Sequence, residues 1–267
     1  MCFVSILLEW MTNIFSSEER HATSRCPIRL FRSVPHNYSA SLCLCVKMSN
    51  TPLPFRATHD LDIVLCVESL TAEFGKKFWE FIHLGGYQMQ EKSDGTRKFY
   101  RFRNPSSMAY PDMIELFARK PDVFGEKELQ GLTPIPLPDD ISSLSAILLN
   151  DDYYSMMLAN KVTWEGISLL TPEALIVLKA KAWMDLSDRK ERGEHVDSKD
   201  VKKHRNDVLR LSAMISPDMQ MKLPEVVMNE MAVFLHRLTV TRNDLDQLGI
   251  RRKPDEIIQL LSGLFGK

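Results

Sequence analysis

The chain has 267 residues, of which 44% are hydrophobic and 26% charged, and a formal net charge of −1. That composition supplies enough apolar surface for a core without disulfide or metal staples. The near-neutral balance excludes a global field that would draw the chain to nucleic acid or to an anionic membrane, so any polyanion contact must come from a local patch.

Five cysteines are present, and four of them (Cys2, Cys26, Cys43 and Cys45) precede residue 50. An odd count without repeated pair spacing argues against a disulfide framework and predicts free thiols in a reducing, cytoplasmic compartment. Cys43 and Cys45 have no second pair to complete a zinc site. The apolar opening MCFVSILLEWMTNIF is interrupted by Glu9, has no basic residue before it and is too short to span a bilayer. No other stretch approaches transmembrane length, so no membrane partner is expected. Residues 1–50 are rich in Ser, Arg and Cys and contain no glycine, the first being Gly75. They read as a disordered extension or a mis-assigned leader, with Met48 as an alternative start.

From Thr51 onward the pattern becomes regular. Asp60 to Val67 (DLDIVLCV) predicts a strand covered on both faces. A helix follows from about Thr71 to Leu84, with Leu70, Phe74, Phe78 and Phe81 at helical spacing and Gly85-Gly86 as its stop. Tyr87 to Glu91 and Arg97 to Arg103 predict a hairpin turning on Asp94-Gly95. Met113 to Ala118 predicts another strand, GLTPIPLPDD a loop, and the region from Ala146 to Leu170 two or three short strands. Thr171 caps a helix with Pro172 at its first position and Glu173 in its first turn. Further helices are expected from Ser198 to about Ile215, Pro224 to Val240 and Pro254 to Phe265. Strands with crossover helices, then a run of helices, predict an α/β (α+β) architecture. Residues 51–170 would form a mixed-sheet core and residues 171–267 a helical C-terminal region.

Asp60 and Asp62 flank Leu61 at the start of the first strand, and residues two apart share a face. Two neighbouring carboxylates repel unless a cation sits between them, and hard oxygen ligands suit Mg²⁺. The bland reading is that both cap the strand in solvent. The buried run that follows predicts that Asp62, at least, is withdrawn from bulk water. Glu115 lies between apolar neighbours in MIELF and needs a partner, either a shared metal or a nearby Arg or Lys.

On the helix that begins at Pro172, Lys179 falls in a stripe with Leu175, Ala182 and Leu186, taking about 100° per residue. An inward lysine reaches an anion or snorkels outward, which makes Lys179 a candidate phosphate ligand. Lys181, to the side among Asp185 and Asp188, is expected at the surface. On the next helix Lys199, Lys202, Lys203 and Arg205 read as a solvated face. His204 lies toward the apolar side with Val201, Val208 and Leu211, where a satisfied core histidine is the default. Asp207 sits at that stripe's edge, placed to orient Lys179 or a substrate hydroxyl. Arg251, Arg252 and Lys253 read as a solvated linker.

RATHDLDIVL (Arg56 to Leu65), PEALIVLKAKA (Pro172 to Ala182) and KHRNDV (Lys203 to Val208) together resemble the AbiEii-type nucleotidyltransferase family, whose members are often toxins paired with antitoxins. The resemblance spans roughly residues 53 to 212. It implies a polymerase-β-type nucleotidyltransferase fold and transfer of a nucleoside monophosphate from an NTP to a hydroxyl of tRNA or protein, with one or two Mg²⁺ ions. It places Asp60, Asp62 and Glu115 as metal ligands, Arg56, Thr58 and Lys179 on the nucleotide, and Asp207 as the last acid of the set. Two positions depart from the pattern. The family's glycine-rich phosphate turn precedes the Asp pair, whereas here no glycine precedes Gly75, and His204 stands where the pattern has an Asp. Those departures leave a second reading open, a catalytically degenerate relative that keeps the fold but serves as a binding or toxin–antitoxin partner. A metal nuclease using Asp62 and Glu115 is a third, opposed by the absence of a lysine two residues after Glu115.

Overall fold

The structure, a computed structural model, describes residues 60–66, 72–91, 97–108, 110–119, 132–134, 145–164 and 167–266. Arg56, Thr58, the Asp94-Gly95 turn and the four early cysteines lie outside them. The described residues fall into two compact units, one within Ala57–Tyr154 and Thr163–Ser168, the other within Ser155–Val162 and Leu169–Lys267. Together they make a mixed α/β protein with a small mixed sheet and a helical C-terminal region.

The first unit is organised by strand β1 (Asp60–Leu65), helix α1 (Ala72–Leu84), the β2 (Gln88–Glu91) and β3 (Arg97–Arg103) hairpin and strand β4 (Met113–Ala118). Strands β1 and β4 pair in parallel along their full length, and β3 pairs antiparallel with the first half of β4. The far end of β4 pairs with β6 (Ser145–Leu148), which carries β5 (Leu132–Pro134) on its outer edge. The Pro-rich loop expected at 131–140 therefore contains a short strand, and its proline is tolerated because an edge strand needs fewer donors.

Alternation decides which sheet face is core. Leu61, Ile63 and Leu65 are buried with their partners Ile114, Leu116 and Ala118, and Phe102 joins them from β3. Helix α1 covers this face, its Phe78 ring meeting Phe102 edge-on at 5.4 Å between centroids. Its end is as the sequence predicts. The Tyr87 N–H donates to the Ile82 carbonyl at 3.2 Å and Gly86 turns at φ 61°. The opposite face corrects one expectation, for β1 is not covered on both sides. Its residues alternate, and Asp62 is exposed.

A helix that the sequence reading did not anticipate, α2 (Asp151–Ala159), separates β6 from the hairpin of β7 (Lys161–Trp164) and β8 (Ile167–Leu170). Its Tyr-Tyr pair carries strand propensity, but Asn150 caps it, accepting from the Asp152 N–H at 2.8 Å.

The second unit contains α3 (Pro172–Glu191), α4 (Ser198–Ser212), α5 (Glu225–Arg237), α6 (Arg242–Gln247) and α7 (Pro254–Phe265). Thr171 caps α3 through the Ala174 N–H as expected. The helix predicted to run to Val240 instead ends at Arg237, and the short α6 follows because Thr241 and Asp244 form a capping box. Helices α3 and α4 pack along each other, with α5 and α7 completing the core. Trp183 and Phe234 meet edge-on at 5.6 Å.

Candidate functional site

On the face of the sheet opposite α1, polar side chains from three strands fall into rows. In a parallel pair, register partners present their side chains to the same face. Asp62 is the partner of Glu115, and Asp60 is the partner of Met113. Across the other edge of β4, Glu115 is paired with Arg101 and Met113 with Arg103. One row therefore reads Asp62, Glu115, Arg101 and the next Asp60, Met113, Arg103. The phase of β4 is fixed by its incoming loop. There the Tyr87 hydroxyl donates to the Pro111 carbonyl at 2.7 Å and Ser106 donates through N–H and Oγ–H to the Gly85 carbonyl. Burial pushes the Tyr87 hydroxyl well above its usual range, so it stays a donor.

The predicted acids thus share one face, but not one environment. Glu115 accepts a hydrogen bond from the Arg101 Nε–H, and both side chains are mostly buried. Of the two partners open to Glu115 from sequence, the structure supplies the arginine. Asp62 is exposed, which corrects the expectation that the strand withdraws it from water. Among the described residues no group of three or more His, Cys, Asp and Glu side chains is arranged to hold a metal ion. The two aspartates offer hard oxygen donors of the kind Mg²⁺ takes, whereas Glu115 is committed to Arg101.

Arg101 and Arg103 were not singled out by the sequence reading. Their signal was present in KFYRFR, where arginines alternate with Tyr100 and Phe102, both buried. Arg103 is exposed, and its Nε–H donates to the Met113 sulfur at 3.2 Å.

The second unit gathers the other predicted residues on the α3 and α4 pair. Lys179 is half-buried, and the fully buried positions of α3 are Ala174, Ile176, Val177, Ala180 and Met184. The stripe of Leu175, Lys179, Ala182 and Leu186 is accordingly the flank of the buried face and not its centre. Lys181 is also not the plain surface residue expected. Its ammonium donates to Glu230 at 2.9 Å, and although burial pulls its pKa down, the carboxylates of Glu230 and Asp185 outweigh that and raise it.

Asp207 is buried in α4, deeper than the stripe edge predicted, and accepts from the Arg210 Nη1–H at 3.4 Å. His204 departs from the satisfied core histidine expected, because its Nδ1 is buried with no hydrogen-bond partner among the described residues. Burial, then the nearby charges of Lys179 and Lys203, push its pKa down to about 4, with Asp207 and Asp200 opposing. Lys179, His204 and Asp207 are therefore electrostatic neighbours, and the imidazole is neutral at physiological pH.

No protein-family model, curated protein or solved structure matches the chain.

Proposed function

We propose that the chain is a metal-dependent nucleotidyltransferase that transfers a nucleoside monophosphate from an NTP to a hydroxyl acceptor, a tRNA end or a protein side chain. The observation that carries this reading is the register of β1 on β4, which sets Asp62 beside Glu115 with Asp60 on the same face. Asp60 and Asp62 would hold Mg²⁺, which when bound neutralises triphosphate charge and acidifies an attacking hydroxyl. Glu115 would assist once released by Arg101. By the motif resemblance alone, Arg56, Thr58 and Lys179 are assigned to nucleotide phosphates and Asp207 to orienting Lys179. The acceptor oxygen attacks the α-phosphorus in line, the α–β phosphoanhydride bond breaks, pyrophosphate leaves, and the hydroxyl proton passes to the carboxylate face. A nucleotidyltransferase-like fold, a cytoplasmic setting and an antitoxin partner belong to the same proposal, resting on the motif resemblance and the cysteine pattern.

A second reading is favoured by the Glu115–Arg101 ion pair, which occupies the third acid. It is a degenerate relative that keeps the sheet but serves as a binding partner. Incubation with labelled NTPs, Mg²⁺ and total tRNA separates the two. The transferase reading expects label on RNA or protein that disappears in Asp62→Ala. Label that survives that substitution removes the site assignment, and no label under any NTP favours the binding partner.

A further inference from the structure

We draw no further inference here: the strongest candidate, the polar cluster of Lys179, His204, Asp207 and Arg210 where α3 packs on α4, with the His204 Nδ1 and Arg210 Nε buried without a hydrogen-bond partner among the described residues, belongs to the site already described, and nothing in the structure shows what it would bind.

Discussion

The neutral imidazole of His204 makes the fold's stability depend on pH in a way that can be measured directly. Its pKa lies below the ordinary value, lowered from 6.5 to about 4 by burial and by the ammonium groups of Lys179 and Lys203. The unfolded chain therefore binds a proton that the folded chain refuses between those two values. The stabilisation is fully present above the ordinary value and is withdrawn as pH falls toward the folded one. One pKa unit corresponds to about 1.4 kcal/mol, so the full shift would be worth about 3 kcal/mol, reduced to about 2 kcal/mol because the ring is partly solvated.

His204→Gln keeps a polar side chain of similar reach and removes the titration. Urea unfolding of both proteins at pH about 7.5 and about 4.5 gives two stability gaps, and carboxylates common to both proteins cancel in their difference. Wild type should lose about 2 kcal/mol relative to His204→Gln on acidification. A gap that stays constant within about 0.5 kcal/mol refutes the claim that burial and Lys179 hold His204 neutral.

Two further outcomes follow from geometry elsewhere. Asp244 receives two bonds from the Arg205 guanidinium, at 3.1 and 2.7 Å, and caps α6 through Thr241, so Asp244→Ala should cost about 2 kcal/mol in urea unfolding. Arg205 holds that carboxyl well below the usual range, so its contribution is present above the ordinary carboxylate pKa and is lost only in stronger acid. Gly86 turns at φ 61°, and an added Cβ would stand 2.9 Å from the Ser106 side chain, so Gly86→Ala should cost about 1.5 kcal/mol in thermal or urea unfolding. Unchanged stability in that variant would mean that the turn after α1 can adopt another conformation.

Several elements were legible because their signals are local. The aromatic spacing of α1 with its Gly85-Gly86 stop, the Thr171–Pro172 start of α3 and the apolar run of β4 each depend on neighbours within one turn or one strand. Elements whose local propensity opposed their final state were not legible. The Tyr-Tyr pair of α2 favours strand, and the proline of β5 favours loop. Only the cap at Asn150 and the free edge of β6 decided otherwise.

For the candidate site the same division holds. From the sequence alone, the two-residue spacing of Asp60 and Asp62 and the strand character around Glu115 put carboxylates on alternate-residue faces, because a strand's side chains repeat every second residue. Only the tertiary structure decided that β1 and β4 run parallel in a register that sets Asp62 beside Glu115, and that Arg101 and Arg103 face the same side from β3. Register is set by long-range pairing and by which face α1 covers, and neither is written in any short window of residues. The burial of Asp207 and the unpartnered Nδ1 of His204 likewise arise from how α3 packs on α4, since a helix fixes which residues share a stripe but not what that stripe meets.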